Sequence, residues 1–208
     1  MSIILGIDTA SSRFALALAE GGEVVQSFEQ DAEQDHSRLL LRAIDDMVAG
    51  RKRDLAGVAV VQGPGSYAGL RVGIATAQGL GVALGIPVRG ISTLQAVALT
   101  TGLKDVTAIQ PAGRGEFAAQ EFRNGEPAGP LRSATADELR GMPLAGEGAG
   151  ALGGLEVTPE ARCRAALAAL LDEIQDRAGD AAVVDAVYLR EPAITPPRRR
   201  RPAVLRRS

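Results

Sequence analysis

The first hundred residues carry a strand and helix order that few folds accept. Residues 3–7 form an apolar run that ends at Asp8. Phe14, Leu16 and Leu18 then alternate with Ala15, Ala17 and Ala19, the two-residue period of a strand. Gly21-Gly22 supplies a two-residue hairpin turn into a strand over residues 23–28. Three strands therefore precede any helix. Asp35 is placed to cap a helix in which Leu40, Leu41, Ile44, Met47 and Val48 recur at helical spacing to about residue 49. A polar loop at 50–54 leads to a buried strand at 58–61. A glycine loop follows, then a helix to about residue 84 that Gly85 and Pro87 stop. Residues 88–91 read as a strand, and Ser92 or Thr93 caps a helix to about residue 100. The order β-β-β-α-β-α-β-α makes this an α/β protein with a mixed sheet and helices against it.

The second half is more weakly patterned. Residues 106–109 and 116–122 read as strands, with turns at Ala112-Gly113-Arg114-Gly115 and Asn124-Gly125. Residues 144–154 are a glycine-rich loop after a short strand. Residues 159–176 are a helix with Thr158 as cap and Pro159 at its first position. Residues 186–189 are expected to be a last strand. From Pro192 the chain is rich in Pro and Arg without apolar period, the composition of a disordered tail. This divides the chain into a lobe at 1–100, a smaller lobe at 101–191 and a basic tail at 192–208.

Charge follows the same division. The 208 residues carry a net charge of −2, but residues 198–208 hold six of the 23 basic residues and no acid, leaving 17 bases against 25 acids in the body. An acidic body with a basic end suits electrostatic contact with RNA phosphate through the tail, or simply a solvated end. The single Cys163 rules out an internal disulfide and a multi-cysteine metal site. The amino-terminal residues lack a basic segment before their short apolar run, unlike a signal peptide. The uncharged run at 72–88 is broken by glycines, Gln78 and Pro87, so it reads as a buried helix rather than a membrane span. A cytoplasmic protein is expected.

Two stretches invite a phosphate. Gly63-Pro64-Gly65-Ser66 opens a helix after a strand, a layout that can aim backbone N–H groups at an anion. Gly63-x-Gly65-x-x-Ala68 fits the dinucleotide pattern formally, but no acid follows between Gly69 and Lys104, and no Gly-Lys-Ser/Thr is present for a Walker loop. A rigid turn that starts a helix explains the same residues. Asp8-Thr9-Ala10-Ser11-Ser12 places an acid and hydroxyls at the end of the first strand, as actin- and hexokinase-like ATPases do to hold magnesium phosphate. Ala10 stands where those proteins use glycine, and its β-carbon crowds a phosphate. Asp8, Thr9, Ser11, Gly63 and Gly65 are therefore the candidate, weak nucleotide contacts.

The helix behind the loop carries a second pattern. Gly69, Gly73, Ala77, Gly81 and Gly85 recur every four residues and share one face. Each helical glycine costs about 1 kcal/mol against alanine, so a close contact must compensate. That contact is the chain's own sheet or a partner's helix. His36 is the only histidine, and Leu40 stands where a second metal-binding histidine would be. No catalytic pair and no metal site are expected.

The segments ILGIDTASSRFALAL, HSRLLL, GPGSYAGLRVGIATAQGL, GIPVRGISTLQAVA and VYLREP, in this order, resemble the TsaB family, also called YeaZ. The likeness is strong over residues 3–100 and faint beyond. It implies an actin/hexokinase-like (ASKHA) fold of two lobes, each a mixed sheet with flanking helices. It implies a non-catalytic scaffold in forming threonylcarbamoyladenosine (t6A) at position 37 of tRNAs that read codons beginning with A. The implied partners are a TsaD-like catalytic subunit and a TsaE-like ATPase, with a homodimer in their absence and tRNA met indirectly. The complex uses ATP and magnesium, and this chain binds no cofactor tightly. Carried onto this chain, the partner helices supply His36, Leu40, Leu41, Ile44, Met47, Gly69, Gly73, Ala77 and Gly81. Where the family's second lobe often reads Ile-Asp-Ala-Arg-Arg-Gly-Glu-Val-Tyr, this chain has Gln110 in place of the Asp. An autonomous ATPase or kinase of the same fold is the competing expectation; Ala10 and the small second lobe speak against it. A metalloprotease is opposed by the lone histidine.

Overall fold

A computed structural model of the protein describes residues 2–32, 36–176 and 183–189. The chain opens with β1 (Ile3–Asp8), β2 (Arg13–Glu20) and β3 (Glu23–Asp31), then α1 (His36–Val48), β4 (Leu55–Val61), α2 (Tyr67–Leu84), β5 (Val88–Ile91) and α3 (Thr93–Thr101). These strands form one sheet in the order β3-β2-β1-β4-β5. The β1–β2 and β2–β3 pairs are antiparallel, and β1–β4 and β4–β5 are parallel. Gly21 and Gly22 both take positive φ, 63° and 88°, which sets Glu20 opposite Glu23 across the hairpin.

The remainder comprises β6 (Asp105–Pro111), β7 (Glu116–Arg123), β8 (Glu126–Pro127), β9 (Arg132–Thr135), α4 (Ala136–Leu139), β10 (Leu144–Gly146), β11 (Leu155–Glu156) and α5 (Pro159–Asp176). Its sheet runs β11-β10-β6-β7-β8, with β9 also on β7. The element order, the two mixed sheets and their flanking helices make an ASKHA-like fold of two lobes. The short β8, β9 and β11 and the four-residue α4 are not visible as periodic patterns, because segments of two to four residues carry no period to read. Residues 186–189 do not form the expected strand. Val187 N donates to Gln62 O at 2.7 Å, and the segment otherwise lies beside the sheet without a ladder. The expected Asp35 cap and the tail from Pro192 lie outside the described residues.

The alternation along β1 and β2 decides which helix covers which face. Ile3, Leu5, Ile7, Phe14, Leu16 and Leu18 point to the side covered by α1 and α2, in one core with Leu40, Ile44, Met47, Ile74 and Ala77. Ala15, Ala17 and Ala19 point the other way, against Cys163, Ala166, Leu167 and Leu170 of α5. This second face is made of small residues so that α5 can lie close. A β-carbon on Gly57 would come within 2.2 Å of Ile174 Cγ2. The helices thus cross between lobes: α5 follows the second sheet in sequence yet packs on the first, while α3 precedes the second sheet and packs on it. Among the described residues no helix is long and apolar enough to cross a membrane.

Candidate functional site

The crossing brings the end of β1, the end of β6, the loop after β10 and the first turns of α5 to one point. Asp8 closes β1 and is fully buried. Ala10 N donates to its Oδ1 at 2.9 Å, holding the turn that follows. Arg162 of α5, also fully buried, forks onto the same carboxylate, with Nε 2.6 Å from Oδ2 and Nη2 3.1 Å from Oδ1. This two-point geometry is the strong form of the arginine–carboxylate pair. The rest of the guanidinium is also used. Nη1 donates to Gln110 Oε1 at 2.8 Å and Nη2 to Ser11 Oγ at 3.0 Å. Glu147, after β10, accepts from Gln110 Nε2 at 3.0 Å and from Ser11 Oγ, and lies 3.8 Å from Arg162 Nη1.

Electrostatically the cluster is one cation between two carboxylates. Burial pushes the Arg162 pKa down, but the charge and hydrogen bonds of Asp8, with the charge of Glu147, outweigh it and leave the pKa raised. Neighbouring Cys163 has its thiol pushed well above the ordinary value, first by burial and then by the Asp8 charge, so it is a packing residue rather than a nucleophile.

These contacts change the reading of the nucleotide candidates. A magnesium-bound phosphate does not fit at Asp8, because both carboxylate oxygens are engaged by Arg162 in a space without solvent. Thr9 is fully buried against α2. Ser11 is spent on Arg162 and Glu147. The glycine loop is likewise turned inward. Ser66 N donates to Ala10 O at 2.7 Å, and Thr93 N donates to Gly63 O at 2.8 Å. A β-carbon on Gly65 would sit 2.4 Å from Ala10 O, and one on Gly63 2.3 Å from Val187 O. Glycine is required here by the chain's own backbone. The loop is the rigid helix start: Ser66 Oγ accepts from Gly69 N at 3.3 Å.

The proposed interface residues are corrected in the same way. A β-carbon on Gly69 would meet Thr9 O at 2.2 Å, on Gly73 Thr9 Oγ1 at 2.2 Å, and on Gly81 Val88 Cγ2 at 2.5 Å. With fully buried Ala77, this stripe faces the chain's own sheet and is closed to a partner. Leu40, Ile44 and Met47 are core residues under α1. Leu41 alone among the apolar α1 candidates is exposed, at 55%. His36 begins α1, and its side chain lies outside the described residues. The outward face of α2 is instead Ala68, Arg71, Ala75, Gly79 and Val82, the last 81% exposed. Nothing lies within 4 Å of a β-carbon placed on Gly79. At the amino end of this face Arg71 lies 4.4 Å over the Tyr67 ring, and Tyr67 stacks on Tyr188 at 5.1 Å. The GPGSYAGLR and VYLREP segments therefore touch.

Arg162 and Glu147 are not among the residues that the sequence singles out, and Gln110 stands out only as a departure from the family's second-lobe pattern. The signal for Arg162 was present: it shares the buried face of α5 with Ala166, Leu170 and Ile174 at four-residue spacing. A charge on an apolar stripe needs a buried partner.

The family model described as "TsaD: tRNA N6-adenosine threonylcarbamoyltransferase" matches residues 25–139, more than half of the chain. The tRNA threonylcarbamoyladenosine biosynthesis protein TsaB of Escherichia coli is 33% identical over 130 residues, 59% of this chain and 56% of that protein. An uncharacterized protein of Mycobacterium tuberculosis is 35% identical over 156 residues, covering 72% of this chain and 73% of its own. The chain thus spans only about half the length of its E. coli TsaB relative. The structure named YeaZ from Pseudomonas aeruginosa superposes with a TM-score of 0.71 at 23% identity, over 91% of this chain and all of that one, which speaks to the fold. With the family model over more than half its length and TsaB relatives above 30% identity, the chain belongs to the TsaB/YeaZ family, within the group that the TsaD model describes.

Proposed function

We propose that this chain takes part in forming t6A on tRNA as a non-catalytic subunit, docking a TsaD-like catalytic subunit on the outer face of α2 and the adjoining Leu41 of α1. The observation that carries the reading is the character of that face. Ala68, Ala75, Gly79 and Val82 form a small and apolar strip with Arg71 as its one charge, open along a helix whose other side is packed on the sheet. Small residues let a partner's backbone approach closely. Family membership supports the pathway. The engagement of Asp8 by Arg162 supports a scaffold over an autonomous ATPase. In this reading the TsaD-like subunit and a TsaE-like ATPase handle ATP and magnesium, tRNA is met through the assembly in the cytoplasm, and two copies pair on the same face when the partner is absent.

The test is co-purification with the TsaD-like subunit. Gly79→Leu and Val82→Asp both change exposed positions, so the chain should keep or raise its melting temperature and lose the partner. Normal capture of the Gly79→Leu/Val82→Asp double variant would sink this docking face. Leu41→Asp is expected to weaken capture less, since it lies on the neighbouring helix.

A further inference from the structure

We infer that Arg162 is the chain's own resident cation, and that the cleft between the lobes is filled from within and closed to a magnesium nucleotide. The residues around the guanidinium come from both lobes: Asp8 ends β1 and Ser11 follows it, Gln110 is the last but one residue of β6, and Glu147 follows β10. Arg162 reaches them from the helix that joins the second lobe back onto the first sheet. Two carboxylates and two neutral side-chain oxygens facing one point form the hard-oxygen set that suits a divalent cation. Here a guanidinium with no solvent exposure occupies that point.

A second position is filled independently. Gly148 N and Gly150 N, in the glycine-rich turn after β10, converge on the Glu156 carboxylate at 2.8 and 2.9 Å. Backbone N–H groups of one turn that converge in this way make a concavity for an anion, and the chain supplies its own. The Gly63–Ser66 loop rests on Ala10 and Val187. The cation position, the anion turn and the glycine loop are thus all occupied by protein atoms. Because α5 packs on the first sheet, separating the lobes would leave Arg162 with Asp8 and strip the buried guanidinium of Gln110 and Glu147, its partners from the second lobe. The two lobes are therefore held in one arrangement by Arg162, whether or not a partner docks on α2.

The experiment is thermal unfolding of the full chain, wild type and variants, with and without MnCl2 or MgADP at millimolar concentration. Wild type should melt unchanged by either addition. Arg162→Ala leaves Asp8 buried without a counter-charge and should lower the melting temperature by roughly 6–20 °C. It should also gain a stabilising response to Mn2+, which enters between Asp8 and Glu147. The double variant Asp8→Asn/Arg162→Ala should recover most of the lost stability without Mn2+ and show no response to it. If Arg162→Ala cannot be obtained folded while the double variant can, the same conclusion holds. A rise in wild-type melting temperature with MgADP or MnCl2 would overturn the inference. So would an Arg162→Ala variant as stable as wild type, or a double variant no better than the single one. None of these outcomes depends on a partner, so failure of the docking face leaves them unaffected.

Discussion

The two small-residue faces of α2 make opposite predictions for one and the same substitution. Gly73 and Gly79 are both interior to the helix Tyr67–Leu84. Replacing either by alanine gains about 1 kcal/mol of helix propensity. At Gly79 the added methyl meets nothing within 4 Å, so the gain is kept. At Gly73 it lands 2.2 Å from Thr9 Oγ1 and 3.2 Å from both Thr9 Cβ and Cγ2. Rotating Thr9 about χ1 gives limited relief, because two of the three positions on its Cβ are heavy atoms, the Cβ itself stays 3.2 Å from the new methyl, and the residue is fully buried. Overpacking of this kind costs about 1–3 kcal/mol. Gly79→Ala should therefore be more stable than wild type by about 1 kcal/mol. Gly73→Ala should range from neutral to about 2 kcal/mol less stable. The propensity term is common to both, so the gap between the variants isolates the steric cost. In a chain of this length it corresponds to roughly 2–12 °C in melting temperature. Calorimetry or urea unfolding on the chain alone reads it. Adding Thr9→Ala to Gly73→Ala should narrow the gap, since no hydrogen bond of Thr9 Oγ1 is lost. Equal stability of Gly73→Ala and Gly79→Ala would refute the assignment of the inward face.

Three further outcomes follow from burial and capping. Leu40→Ala should cost about 2–5 kcal/mol in urea unfolding, because Leu40 is a fully buried core residue, whereas Leu41→Ala should stay within about 0.5 kcal/mol. Cys163 should resist thiol reagents in the folded protein and react once the chain is unfolded, since burial first and then the Asp8 charge hold its pKa well above 9.0. At α4, Thr135 and Glu138 form a reciprocal capping box whose hydrogen bonds lower the Glu138 pKa below the ordinary 4.5. A depressed acid stabilises fully above its unfolded value and loses that contribution as pH falls through the folded one. NMR titration should place the Glu138 midpoint below 4.5 and return it toward that value in Thr135→Ala.

Most of the first lobe was legible because its segments are long enough to show a period. The β2 alternation of Phe14, Leu16 and Leu18 with Ala15, Ala17 and Ala19 fixes two faces of unequal depth, and the sheet uses both. The hairpin at Gly21-Gly22 and the cap at Ser92 are local chemistry that sequence displays directly. β4 begins at Leu55, three residues before the expected strand, because Gly57 interrupts the apolar run although Ile174 needs its missing side chain. The candidate site was legible only in part. Asp8 and Ser11 were recognised as a polar pair at the end of a strand, but their partners stand about 100 to 150 residues away. No spacing rule connects them.

The same limit explains why the small-residue stripe of α2 reads as well for a partner face as for the chain's own sheet, on which it packs. Glycine and alanine recur on both sides, at 69, 73, 77 and 81 and at 68, 75 and 79, so small size alone cannot say which side is packed. Arg71, the one charged residue in the helix, is only a partial guide. At 100° per residue, Ala68, Ala75, Gly79 and Val82 fall within a quarter-turn of it and Gly69 and Gly73 on the far side, but the buried Gly81 is also about 80° from it, on the other flank. A buried arginine demands a carboxylate, but that acid need not be near in sequence: Arg162 has Asp8, and Arg89, inside the acid-free stretch between Gly69 and Lys104, is nearly fully buried beside Glu173. In the structure Arg71 is exposed, and Gly69 and Gly73 opposite it are buried. Which arginine is buried is set by the fold that brings Asp8 to Arg162 and Glu173 to Arg89, across sequence distances that no local pattern spans.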